Sequence, residues 1–122
     1  MMIRMTTSLS QAMKEQGNCF QIAYEVACSN RGWLVCHGIP VFQGPEHFGE
    51  RYRHAWNESD NGVFVVDCSL YGKVSGFLRR DYYSAGQLNE QHVVRYTMEQ
   101  ALEELIKHEH YGGWKDWPGV TL

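Results

Sequence analysis

Apolar and polar positions divide the chain into a helical start, a strand-rich middle and a helical end. Phe20, Ala23, Val26 and Ala27 recur at three- and four-residue spacing, which predicts a helix with one buried face. Met13 to Gln16 lead into Gly17-Asn18, a break followed by a favoured N-cap, so this helix is expected to open at Cys19. Asn30-Arg31-Gly32 supplies its stop. From Trp33 the texture changes to Trp-Leu-Val-Cys-His and then Ile-Pro-Val-Phe, broken by Gly38 and Gly44-Pro45, which reads as strand and turn. A further strand is expected over Arg51 to Glu58. Ser59-Asp60-Asn61-Gly62 turns the chain into Val63-Phe64-Val65-Val66, a run suited to a buried strand, and together they predict a hairpin. A short helix around Phe77 to Ser84 and a short strand at His92 to Tyr96 come next. Thr97-Met98-Glu99-Gln100 has the capping-box form, and Ala101, Leu102, Leu105 and Ile106 give an apolar stripe through about Lys107.

No repeat, low-complexity stretch or Pro/Ser-rich linker marks a boundary, so residues 1–122 are expected to form a single domain. The 43% hydrophobic content suits a globular protein and argues against disorder. With a net charge of -3, and Lys and Arg scattered apart from Arg51/Arg53 and Arg79/Arg80, nucleic acid is not an expected partner. Met1 to Ser10 lacks the apolar core of a secretory signal, and no later run approaches the ~18 apolar residues of a membrane span. A cytoplasmic protein with no membrane partner is therefore expected. Cys19, Cys28, Cys36 and Cys68 include no C-x-x-C pair, so neither a metal nor another cofactor is expected, and a reducing compartment leaves them as free thiols.

Thiol catalysis needs a thiolate, a base that makes it and returns the proton, and a third group that orients the base. Cys19 lies where a helix N-terminus lowers a thiol pKa. His54 lies on the first strand of the hairpin, on the face shared by Tyr52 and Trp56, with Arg53 and Ala55 opposite. Asp67 ends the second strand, and pairing about Asp60-Asn61 would set it nearly opposite His54.

His54-Ala55-Trp56, then Glu58, a Gly-containing turn, a hydrophobic strand and Asp67-Cys68-Ser69 resemble the H-A-W-x-E…D-x-[ST] core of the transglutaminase-like branch of papain-like proteins. The chain order of Cys on a helix, His on a strand and Asp on the next strand is similar too, over residues 17 to 70. The resemblance implies an α+β fold, in which an N-terminal helix carrying the Cys packs on a small antiparallel sheet, with a C-terminal helix beside them. It also implies a Cys19-His54-Asp67 triad and a covalent thioester. Phe20 follows Cys19 where many members have Trp. Papain-like peptidases bind the oxyanion with a Gln upstream of the Cys. Gln11 and Gln16 both lie upstream here, and Gln16 is the expected second donor after the backbone N–H of Cys19. Trp56 or Tyr52 is expected to shield the site or meet substrate.

The leading expectation is a hydrolase of an amide-type bond, whether in a peptide, a protein side chain or a small amide. A catalytically silent binding or inhibitor module on the same frame, and an acyltransferase to an amine, are the alternatives. Cys28, Cys36 and Cys68 read as packing residues, and Cys36-His37 is no nucleophile-base pair because strand neighbours face opposite ways. His108 and His110 suit the end of the last helix. Trp114 and Trp117 read as an aromatic clasp beyond it, and Gly44-Pro45 to Gly49 as a loop placed for substrate gating.

Overall fold

The computed structural model describes residues 18–43, 45, 47–68 and 73–117. Asn18 stands at the N-cap position of the first helix, α1 (Cys19–Ser29), and its carbonyl accepts the Ile22 N–H at 2.9 Å. At the other end Asn30 Nδ2 donates to the Val26 carbonyl at 2.8 Å, and Gly32 turns the chain at φ +89°, a conformation costly to any residue with a Cβ. Strand β1 (Trp33–Gly38) follows directly. The extended reading of Ile39 to Phe42 does not hold as a strand. Pro40 has no N–H to give a ladder, and Val41 makes an isolated bridge to Arg51 while its N–H goes to the Gly86 carbonyl at 2.9 Å.

The hairpin forms from β2 (His54–Ser59) and β3 (Phe64–Asp67), with a register two residues away from the one expected. Asn57 lies opposite Val66 and Glu58 opposite Val65, so the chain reverses through Asp60 to Val63. Side chains hold this wider turn. Ser59 Oγ accepts the Phe64 N–H at 3.0 Å and donates to Asn61 Oδ1 at 2.6 Å, and Asn61 Oδ1 also accepts the Val63 N–H at 3.0 Å. A shift of two preserves which face each side chain takes, so His54 and Asp67 remain on one side of the sheet.

The short helix expected from Phe77 starts two residues later, as α2 (Arg79–Gly86), because Ser75–Leu78 pair with β3 as strand β4. After a 3-10 turn at Glu90–His92 comes β5 (Val94–Tyr96), and then α3 (Met98–His108). Thr97 Oγ1 accepts the Gln100 N–H and Gln100 returns the bond to the Thr97 N–H, completing the expected capping box. The fold of the described residues is α+β: three α-helices and a five-stranded antiparallel sheet ordered β4-β3-β2-β1-β5.

Alternation along the strands gives the sheet two different faces. One carries Val35, Ala55 and Val66 under α1, where Ile22, Ala23, Val26 and Ala27 are buried, and Ala101 of α3 joins the same core. Asn57 on this face pins helix to sheet, donating from Nδ2 to the Ala23 carbonyl at 2.8 Å and the Leu34 carbonyl at 3.2 Å. The opposite face carries Cys36, Trp56 and Val65 beneath Tyr83 of α2. Here the buried Glu58 is a hub. Its carboxylate accepts from Trp56 Nε1 at 2.9 Å, Arg95 Nε at 2.9 Å, Arg79 Nε at 3.1 Å and the Tyr83 hydroxyl. Glu58→Leu strands these donors against an apolar side chain and is expected to cost about 3 kcal/mol in urea denaturation. A loss below about 1 kcal/mol would contradict the hub.

Candidate active site

His54 opens β2 at the end of the sheet that the N-terminus of α1 approaches, and both partners expected for it are within reach. Its Nε2 lies 2.6 Å from Asp67 Oδ2, with His54 5% and Asp67 1% exposed. In the observed register Asp67 is diagonal to His54 rather than opposite it, and such neighbours still meet through long side chains. Cys19, in the first turn of α1 and half-buried, is hydrogen-bonded to the same imidazole. With Nε2 held by Asp67, Nδ1 is the nitrogen left to exchange a proton with the thiol.

The electrostatics suit a proton holder. Burial alone would lower the His54 pKa. The charge and hydrogen bond of Asp67, with the hydrogen bond and charge of Cys19, outweigh it and hold the imidazole well above its usual value. The other thiols are placed differently. Burial, reinforced by Glu58, pushes Cys36 well above the ordinary thiol value, and burial with the nearby Asp67 charge pushes Cys68 up to about 12. Cys28 is exposed on α1 and is also raised, mainly by desolvation. Only a lowered value makes a thiol reactive at neutral pH, so none of these three is an activated nucleophile.

Sequence reasoning missed Tyr82. Its hydroxyl donates to Asp67 Oδ2 at 2.7 Å, on the very oxygen that meets His54. No local pattern could have found it, because β4 and α2 must first form to bring it there. Tyr52 flanks the imidazole with ring centroids 5.2 Å apart and stacks on Phe42 at 4.0 Å, so it stands where a shield was expected. Trp56 needs correction. It is 1% exposed and commits its one donor to Glu58, so it supports His54 from inside the sheet, away from any substrate or oxyanion. Gln16, the expected second oxyanion donor, lies outside the described residues.

Cys36 and His37 do face opposite sides. His37 is fully buried among Phe20, Tyr96 and Trp114, at ring distances of 4.7, 5.1 and 5.0 Å. Neither of its nitrogens has a hydrogen-bond partner, and burial, with the charge of His54 nearby, lowers its pKa to about 3. At the end of α3, His108 Nε2 pairs with Glu104 at 3.0 Å, one helical turn back. Among the described residues no helix is long and apolar enough to cross a membrane. No family model, curated protein or solved structure matches the chain.

Two opposite pH dependences follow. The folded protein holds the His54 proton well above the ~6.5 of the unfolded chain, so this contribution to stability is complete below about pH 6.5 and fades as pH rises through the folded value. The stability gap between the protein and His54→Gln should therefore shrink from about pH 6 to pH 10. His37 has the reverse sign. Its folded value of about 3 lets the unfolded state take up a proton that the folded state refuses, so stability falls as pH drops from about 6.5 towards 3. His37→Phe should remove that part of the acid loss. Urea denaturation across this range reads both slopes, and a pH-independent gap for either variant would contradict the assignment.

Proposed function

We propose that the protein is a cysteine hydrolase of amide-type bonds, working on a transglutaminase/papain-like frame. The observation that carries this reading is the continuous chain from Asp67 through a buried, proton-holding His54 to Cys19 at a helix start. A histidine kept only for packing has no need of a buried carboxylate on one nitrogen and a thiol at the other.

The chemistry runs in two stages. The proton passed from Cys19 to His54 Nδ1 is already held on the imidazole when substrate arrives, and Sγ forms a bond to the substrate carbonyl carbon. The carbonyl oxygen takes up negative charge, which the backbone N–H of Cys19 is positioned to meet because the first turn of a helix has no carbonyl four residues back to accept it. His54 returns its proton to the amine nitrogen as the C–N bond breaks, leaving a thioester on Cys19. Water then attacks the thioester with His54 as base, and the acid leaves as the thiol is restored. Asp67 stabilises the imidazolium throughout and keeps Nδ1 turned to sulfur. Tyr52 restricts water beside the ring. Peptides, protein side chains and small amides all meet this chemistry.

A panel of peptidyl aminomethylcoumarin amides, with rapid-quench intact mass spectrometry, tests the reading. Coumarin release should accompany an acyl adduct on Cys19. Cys19→Ala should abolish both with its melting temperature preserved, and Asp67→Asn should lower kcat on the order of 10³-fold or more. Added primary amine should leave the carboxylic acid as the main product, and a dominant amide adduct would indicate transfer instead. Release that survives Cys19→Ala would contradict the proposal.

A further inference from the structure

Beyond α3 the chain crosses back over the sheet end that carries α1's first turn, and this crossing holds two oddities. The backbone at Gly112 presses directly on two rings: a Cβ there would stand 2.7 Å from His37 Cε1 and 2.7 Å from Phe20 Cδ1, and the φ of +134° is a glycine conformation. Beneath it His37 is wholly buried with both nitrogens unanswered, and Trp117, further along the same segment, is 6% exposed with an unanswered Nε1. Buried polar atoms nearly always have partners, and one orphaned side chain under the segment, with a second on it, shows that the closed position leaves donors and an acceptor that something else can satisfy.

The segment is also fastened in a particular way. Arg53, the residue before His54, donates from Nη1 to the Lys115 carbonyl at 3.0 Å and from Nη2 to Asp116 Oδ1 at 2.8 Å and the Trp117 carbonyl at 3.3 Å. Asp116 is exposed, so this is a latch at the surface and not a buried tie. Phe20, the residue after Cys19, forms one wall of the covered cage, with Tyr96 and Trp114 forming others.

We propose that residues 110–117 are a strap latched by Arg53, and that lifting it opens a specificity subsite beside Cys19. In this subsite His37 gives one hydrogen bond to an uncharged, flat substrate group held between Phe20 and Tyr96, the two ring walls that stay in place when Trp114 lifts with the strap. An aromatic or amide-bearing side chain is the fitting class. An imidazole that stays neutral at physiological pH offers no charge to a carboxylate, while ring walls favour planar apolar faces. The inference deepens the hydrolase reading by naming what the thiol's substrate carries.

Histidine C2 deuterium exchange, resolved residue by residue by mass spectrometry, reads the strap directly. Arg53→Ala should speed exchange at His37 by about ten-fold and leave His54 within about two-fold. Asp116→Ala removes one latch contact from an exposed side chain, so it keeps the test decisive should Arg53→Ala fold poorly, and about three-fold at His37 is expected there. Unchanged exchange at His37 in Asp116→Ala, or equal acceleration of both histidines, would overturn the strap. The subsite is read in Cys19→Ala, where no thiol reaction takes part, so its failure is separate from failure of the hydrolase chemistry. Millimolar benzamide should slow His37 exchange and benzoate, of the same shape but anionic, should not; no protection, or equal protection by both, would overturn the subsite.

Discussion

A carboxylate withdrawn from water must be answered by donors, and this sheet buries two on one face of neighbouring strands. Glu58 and Asp67 are each 1% exposed, and consecutive residues of α2 serve them: Tyr83 donates to Glu58 and Tyr82 to Asp67. What completes each shell decides its role. Glu58 meets Arg79, Arg95 and Trp56, so its charge ties α2 and the edge strand β5 to β2. Asp67 meets His54, a group able to carry a proton or give it up, and the charge of that carboxylate raises the pKa of an otherwise desolvated imidazole. One face thus carries two buried carboxylates with different partners, and α2 contributes a tyrosine to each.

The H-A-W-x-E pattern has a physical reason in this arrangement. His54, Trp56 and Glu58 alternate onto the α2 face, where Trp56 Nε1 reaches Glu58 and the Trp56 ring lies 6.1 Å from the His54 ring. Ala55 and Asn57 face α1, and both are small enough for the helix to lie close, with Asn57 bonding the Ala23 carbonyl. Legibility in the sequence followed locality. The start of α1, the capping box of α3 and the hairpin strands rest on neighbours a few positions apart, and each could be read. The hairpin register was misplaced because Ser59 and Asn61 build a wider turn through their side chains, yet the error of two preserved face parity and with it the His54-Asp67 pair. Tyr82, the Arg79/Arg95 clamp and the cage around His37 join residues from distant elements, and no spacing along the chain encodes them. Phe77 was read as helix because its pairing with Val65 is likewise a long-range contact.

Thiol placement follows from the same two-faced sheet. Cys36 lies in the α2-side core near Glu58 and Cys68 beside Asp67, so each feels a carboxylate and burial that together favour the protonated thiol. Cys19, where α1 begins, meets the imidazole. The sheet end at which it does so is roofed by the chain beyond α3, and Arg53, just before β2, bonds the roof while His54, at the start of β2, bonds Asp67.

The proposed hydrolase chemistry requires His54 to make Cys19 a thiolate. The rate of iodoacetamide alkylation of each cysteine in the folded protein, followed from about pH 5 to 9 by peptide mass spectrometry, tests it most directly, since an ordinary thiol titrates near ~8.5. The account predicts fast alkylation of Cys19 alone at pH 6, and loss of that advantage in His54→Ala. Cys19 reacting no faster than Cys28 at pH 6, or its rate surviving His54→Ala unchanged, would contradict the account.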